Sequence, residues 1–285
     1  MTSIEKAMDR HSEAAVHSDQ KEAGHHSKDS LLPRSVHRIN LADLQQQGFL
    51  IPDHGGHLLS EEYRMIKRPL LLNAFGKGAS HIVHGNLVMV VSAISGEGKT
   101  FTTLNLAMSI AMERDTTVLM VDSDVVKPSL SGFLGLSGHL GLTDLLYDEN
   151  LNLSEAIVNT DIQKLKVLPA GRTNVHSTEL LASRRMEYLA KELSNRYPDR
   201  IVLFDSPPLL VTSQACVLSQ IMGQILMVVE AGRVSQAAVK EALAMLDSDK
   251  VIGLILNKKP KSLFDQRYQP YGYGWDNNKK EDKKR

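Results

Sequence analysis

From residue 87 onward the chain alternates short, continuously apolar runs with longer amphipathic stretches. The runs are LVMVVSA (87–93), TVLMVD (117–122), LKVLPA (165–170), RIVLFD (200–205), QILMVVE (224–230) and VIGLILN (251–257). They lack the strict apolar–polar alternation of a half-solvated strand, so both faces of each are expected to be covered. Helical patterns begin near Lys99, Glu179, Thr212 and Ser235. Strands separated by helices make βαβ units, which require a mostly parallel sheet and right-handed crossovers. The predicted class is α/β: a three-layer fold with helices on both faces of the sheet.

Upstream of this region the pattern is weaker. Asn40 is placed to cap a short helix with Leu41 and Leu44 on one face and Gly48 at its end. Pro52, Gly55 and Gly56 mark a linker. A second helix is expected from Ser60 as N-cap, with Glu61 and Glu62 in its electropositive first turn. Glu61, Arg64 and Lys67 recur at i, i+3 and i+6 along it, a pattern that reads as an exposed charged face, and Pro69 is expected to kink or end it. Residues 1–36 are polar, His-rich and without an aromatic residue, so they are expected to stay disordered. Residues 258–285 carry nine Lys/Arg against four Asp/Glu, together with Tyr268, Tyr271, Tyr273 and the single Trp275. The predicted division is a tail (1–36), a helical segment (37–84), a main α/β domain (85–257) and a flexible basic tail (258–285).

Composition narrows the class without naming it. With 285 residues and 42% apolar content, the chain is long enough for one large core. Lys plus Arg equals Asp plus Glu at 33 each, which argues against a dedicated nucleic-acid coat. No apolar run reaches the ~20 residues of a membrane helix, and the N-terminus has no apolar signal-peptide core. The single Cys216 cannot form an internal bridge. These features predict a cytoplasmic chain that reaches a membrane only through a partner.

The chemistry concentrates at the ends of three apolar runs. Ala93-Ile94-Ser95-Gly96-Glu97-Gly98-Lys99-Thr100 follows the first and opens a helix: a P-loop with Ala for the usual first Gly. Gly96 and Gly98 allow backbone N–H groups to approach phosphate oxygens, and the helix N-terminus adds positive potential. Lys99 is a point charge for the β- and γ-phosphates, and the Thr100 hydroxyl is a Mg²⁺ ligand. Ser95, Gly96, Glu97, Gly98, Lys99, Thr100 and Phe101 are therefore the predicted nucleotide-contacting residues. Asp122 and Asp124 follow the second run, and Asp205 follows the fourth. Ligands of open parallel sheets bind beyond the carboxyl ends of strands, so these carboxylates should converge on the P-loop. Asp205 fits the Walker-B role and, with Thr100, is a predicted Mg²⁺ residue. Several carboxylates around one site need a cation among them. Asn257, at the end of the last run, can either hydrogen-bond an adenine edge or form a turn. Together these motifs make the fold P-loop NTPase-type, with ATP and Mg²⁺ as expected cofactors.

The P-loop, DSDVVKPSL (122–130) and DSPPLL (205–210), in this order and spacing, resemble the bacterial tyrosine kinases of capsule and exopolysaccharide synthesis. GLTDLL (141–146), LPAG (168–171), ELLAS (179–183) and GLILN (253–257) extend the resemblance over roughly residues 58–275. EEYRMIKRPLL (61–71), LNAFGKGA (72–79) and VVEAG (228–232) are most similar to the unfused autokinases of exosortase-associated (PEP-CTERM) loci. The resemblance implies autophosphorylation in trans. Asp122 would be the base for a tyrosine hydroxyl, Lys99 and Asp124 its catalytic companions, Asp124 and Asp205 with Thr100 the metal set, and Tyr268, Tyr271 and Tyr273 the acceptors. It implies a ring-shaped homo-oligomer in which Glu61, Arg64 and Lys67 meet the neighbouring subunit. It also implies a membrane polysaccharide co-polymerase (chain-length determinant) partner and a tyrosine phosphatase. Two departures stand out: Lys67 replaces the family's more usual Arg, and Val126 stands where the family commonly carries Arg, with Lys127 one place later.

Two other function classes fit parts of the sequence. A partition or septum-positioning ATPase would carry a signature Lys where Ile94 stands, and would not explain the tyrosine tail. An ATP-binding scaffold that assembles with the co-polymerase without significant kinase activity would use the same phosphate residues. Asp122 is the residue that separates the two, since binding alone does not need it.

Overall fold

The six apolar runs all become strands of one eight-stranded sheet, joined by two short strands that the pattern does not reveal. The computed structural model describes residues 36–52, 58–76, 78, 82–172 and 177–260. The tail tyrosines, Trp275, most of the His-rich segment and the Gly55–Gly56 linker lie outside them. In chain order the first elements are β1 (Val36–His37), α1 (Leu41–Gln46), α2 (Leu58–Ala74), β2 (Leu87–Ser92), α3 (Lys99–Ala111) and β3 (Thr117–Asp122). Then come α4 (Ser129–Phe133), α5 (Leu142–Tyr147), α6 (Leu153–Ala156), β4 (Val158–Thr160), β5 (Leu165–Leu168) and α7 (Ser177–Leu180). The last are α8 (Arg184–Asn195), β6 (Arg200–Asp205), α9 (Ser213–Ile221), β7 (Gln224–Glu230), α10 (Gln236–Ala244) and β8 (Val251–Asn257).

The strand order is β1-β4-β5-β3-β6-β2-β7-β8. Every pairing is parallel except β4 with β5. Successive side chains of each central strand enter opposite layers. Val88 and Val90 of β2 pack with Leu104, Met108 and Ile110 of α3, Tyr63 and Leu70 of α2 and Leu44 of α1. Leu87, Met89 and Val91 pack in the other layer with α5, α8, α9 and α10. β2, β3 and β6 are buried along nearly their whole length, as continuous apolar runs require. β8 departs from that expectation. As an edge strand it leaves Leu254 and Leu256 about 60% exposed.

Several local predictions hold and several shift. Asn40 Oδ1 accepts from the Asp43 N–H, and Gly48 closes α1 with φ of +84°. Ser235 caps α10 by accepting from the Ala238 N–H. The expected tail boundary at residue 36 moves, because Val36 already pairs with Asn159 and His37 with Thr160. The helix expected near Glu179 is split. α7 is a single turn, and the amphipathic helix begins at Arg184 behind the Ser183 cap, whose hydroxyl accepts from the Met186 N–H. Ser60 is not an N-cap but lies buried inside α2, which starts at Leu58. Pro69 also lies inside α2, which runs on to Ala74. Tyr63, Lys67 and Leu70, at i, i+4 and i+7, form the buried stripe that holds this helix against the core. Burial pushes the Tyr63 hydroxyl up to about 12, against hydrogen bonds to Thr102 and Asn105 that favour ionisation. Cys216 is half-buried in the core, and burial raises its thiol pKa, consistent with a packing role. No described helix is long and apolar enough to cross a membrane.

Candidate nucleotide site

The parallel register sets the site. Asp122 at the end of β3 is the lateral partner of Asp205 at the end of β6, and Asp205 is paired with Val90 of β2. The P-loop leaves β2 just beyond, so its start and both carboxylates share one end of the sheet. Gly96 and Gly98 hold φ of +88° and +97°, the left-handed region that suits glycine. At Gly98 space is limiting as well: a Cβ would stand 2.1 Å from Asn257 Nδ2.

The P-loop has one flank of carboxylates. Thr100 Oγ1 donates to Asp205 Oδ2 at 2.7 Å, and Thr103 Oγ1 lies 3.3 Å from Asp205 Oδ1. Asp205 is almost wholly buried, and burial raises its pKa to about 6 against these hydrogen bonds and the Lys99 charge. Asp122 is fully buried. Desolvation first, and the nearby Asp205 charge second, raise it to about 7. Its Oδ2 accepts from the Ser131 N–H and Oγ–H, both at 2.7 Å, while its Oδ1 is buried without a partner. Asp124 is half-buried and accepts from the Lys127 N–H at 3.0 Å; burial raises its pKa also. Lys99 is buried, which lowers its pKa, while Asp205, Asp124 and Glu97 hold it up.

The other flank is closed on itself. Glu97 is fully buried. Its Oε1 accepts from the Ile94 N–H at 2.7 Å, and its Oε2 from the Glu230 N–H at 3.0 Å. Asn257 Nδ2 donates to the Glu97 carbonyl at 2.8 Å, and Lys258 Nζ to the Gly96 carbonyl at 2.7 Å. Glu230 accepts ion pairs from Arg233 at 2.9 Å and Lys258 at 3.1 Å, and these hold its pKa down.

Three sequence expectations change here. The Glu97 side chain ties the start of the P-loop to the end of β7 instead of facing a ligand, so only its backbone is available to phosphate. The Phe101 ring packs on Phe49 at a centroid distance of 4.8 Å, which turns it away from the phosphate loop. Lys67 does not belong to an exposed charged face. It is buried, donates to the Ser109 carbonyl at 2.7 Å and pairs with Glu113 at 2.7 Å. Glu61 and Arg64 do stay exposed and pair with each other. Asn257 takes a local bond to the loop backbone. Val126 and Lys127 are exposed. Sequence reasoning missed Ser131, Thr103, Glu230, Arg233 and Lys258. Ser and Thr hydroxyls one or two turns from a motif carry no periodic signal.

The donor set suits Mg²⁺. A threonine hydroxyl beside a buried carboxylate offers hard oxygen ligands, and Mg²⁺ takes only one or two from protein, with phosphate and water completing its shell. No three described His, Cys, Asp or Glu side chains form a metal cage.

Fold and site together define a P-loop nucleotide-binding domain. A family model described as an AAA domain matches residues 86–251. Tyrosine-protein kinase YwqD of Bacillus subtilis is 30% identical over 239 residues, covering 83% of this chain and 94% of that protein. The solved chimerical protein CapA2B2 superposes with a TM-score of 0.63 at 25% identity, over 77% of this chain and 99% of its own. The septum site-determining protein MinD of Pyrococcus horikoshii, complexed with Mg-ADP, superposes with a TM-score of 0.52 at 26% identity, over 62% of this chain and 72% of its own. The chain belongs to the AAA-domain family and, within it, to the bacterial tyrosine-protein kinases.

Proposed function

We propose that this chain is an ATP-dependent protein-tyrosine autokinase that phosphorylates Tyr268, Tyr271 and Tyr273 of a neighbouring copy and so regulates exopolysaccharide chain-length and export machinery. The observation that carries the reading is the juxtaposition of Asp122 with Asp205. A nucleotide scaffold needs Lys99, Thr100 and Asp205. It does not need a second buried carboxylate in lateral register with an oxygen left unpaired.

Lys99 and the P-loop backbone bind and orient the triphosphate. Thr100 and Asp205, with Asp124 nearby, would hold Mg²⁺, which supplies charge neutralisation at the phosphates. Asp122 accepts the acceptor tyrosine's proton, needed because a phenol has a pKa of about 10. Glu61 and Arg64 contribute to contact between copies in a ring. A tail in an oligomer reaches a neighbour's site at high effective concentration. Each phosphate adds roughly −1.5 to −2 charges, so three outweigh the tail's positive excess and loosen its hold on an acidic groove. The expected partners are a membrane co-polymerase, which recruits the chain to the inner membrane face, and a tyrosine phosphatase.

The test is incubation with Mg-ATP and mapping of phosphate by mass spectrometry, with Lys99→Ala and Asp122→Asn controls. Modified tail tyrosines, lost in both controls, support the reading. ATP binding with no transfer, even with the co-polymerase's cytoplasmic segment added, would leave the scaffold reading in its place.

A further inference from the structure

Asp122 is held by a two-step chain that reaches the neighbouring strand. Ser131 is 2% exposed, at the third position of α4, nine residues beyond Asp122. Its hydroxyl oxygen accepts the Ala170 N–H at 3.0 Å, just past the end of β5. A hydroxyl has a single proton. With a lone pair committed to Ala170, that proton is directed to Asp122 Oδ2, 2.7 Å away, and the Ser131 N–H adds a second bond to the same oxygen at 2.7 Å. Both donors therefore fall on Oδ2, and Oδ1, equally buried, has none. A buried carboxylate oxygen without a donor is costly unless something arrives to use it.

We propose that Ser131 is a positioning residue for phosphoryl transfer: it pins Oδ2 of Asp122, fixes the carboxylate plane and leaves Oδ1 to receive the acceptor proton. This rests on the reading of Asp122 as the base. In the step served, the phenolic oxygen bonds to the γ-phosphorus, and the bond from that phosphorus to the β–γ bridging oxygen breaks. ADP carries away the bridging electrons, and the phenol proton passes to Oδ1. Ser131 itself exchanges no atom. Ala170 fixes which way its hydroxyl points, so the loop after β5 helps to set the geometry of a group on β3.

The experiment compares the full chain with Ser131→Ala, Ser131→Thr and Asp122→Asn. It measures kcat and ATP KM for tail phosphorylation, and ADP affinity by calorimetry. Ser131→Ala keeps the backbone N–H bond but loses the hydroxyl. It is expected to lower kcat roughly 10- to 100-fold, the effect of one hydrogen bond to a charged group, with KM and ADP affinity within about twofold of wild type. Ser131→Thr, which restores a hydroxyl, is expected to recover most of kcat. Three results overturn the proposal: unchanged kcat in Ser131→Ala, an ADP affinity that falls in step with kcat, or a Thr variant as slow as the Ala variant despite normal ADP binding. If Asp122→Asn stays active, it is the reading of Asp122 that fails; if Asp122→Asn is inactive and Ser131→Ala is not, the reading stands and Ser131 has no part in it. A wild-type chain that binds ATP and transfers nothing overturns both.

Discussion

The two flanks of the P-loop solve opposite electrostatic problems. On the β3–β6 side, Asp122 and Asp205 are buried next to each other, and their raised pKa values record the cost of being charged there. On the β7–β8 side, Glu97 and Glu230 are also acidic, but each carboxylate is satisfied: Glu97 by two backbone N–H groups, Glu230 by Arg233 and Lys258. One flank is finished by the chain itself. The other is arranged for a cation and a proton that arrive from outside. The fold concentrates unfavourable charge where chemistry is expected and spends its own hydrogen bonds on keeping the loop in shape.

The largest expected effect breaks that contrast on the strained side. Both Asp122 and Asp205 have folded-state pKa values, about 7 and about 6, above their ordinary value of 3.8. Between those values the folded state binds more protons than the unfolded state. The stabilising contribution is therefore complete below about pH 4 and is lost as pH rises through 6 and 7. At about 1.4 kcal/mol per unit, the Asp122 shift corresponds to roughly 4–5 kcal/mol at pH 8. Asp122→Asn is expected to gain stability over wild type at pH 8 on that scale and to show little difference at pH 4. Urea melts of nucleotide-free protein at the two pH values check this, and equal differences at both would remove the argument that Asp122 is held at a cost.

The second effect falls on the satisfied side. Gly98→Ala places a Cβ where Asn257 Nδ2 stands and asks a non-glycine residue to hold φ near +97°. Asn257 has to leave the Glu97 carbonyl, and the backbone strain is added to that loss. The expected cost is about 2 kcal/mol, or roughly 30-fold in ATP affinity. Pairing it with Asn257→Ala removes the collision and leaves the strain, so the double variant should bind ATP better than Gly98→Ala alone. Calorimetric titration of the two variants decides it.

How legible this was depends on the range of the interactions involved. Strands 117–122, 200–205 and 224–230 have the ends that their residues dictate, because a buried central strand is one apolar run stopped by polar residues, and 251–257 keeps the same bounds although it is a partly exposed edge. β1 and β4 are two and three residues long, and pair across more than a hundred residues, so no local period announces them. That the P-loop and the carboxylates Asp122 and Asp205 meet at one end of the sheet was legible because each closes an apolar run in a recognisable motif. Lys67 was misread from its charge spacing, although Tyr63, Lys67 and Leu70 lie on a helical stripe. Its alkyl stem suits burial, and the Ser109 carbonyl and Glu113 accept its head. Ser131 and the Glu97 staple depend on which strands become neighbours, a fact of topology that a single sequence does not display.

The smallest effect tests whether the β7–β8 flank is redundant in its outer layer. Arg233 is half exposed and pairs with Glu230, which Lys258 also contacts. Exposed ion pairs contribute little, and a shared carboxylate keeps one partner when the other goes. Arg233→Ala is therefore expected to leave ATP affinity within about threefold of wild type and the melting temperature within about 2 °C. Lys258→Ala should do more, because its bond to the Gly96 carbonyl at the crest of the P-loop is 2.7 Å, whereas Arg233 reaches the Ser95 carbonyl only at 3.4 Å. If Arg233→Ala weakens ATP binding tenfold or more, the guanidinium contacts the nucleotide, and this flank, too, is partly built for ligand.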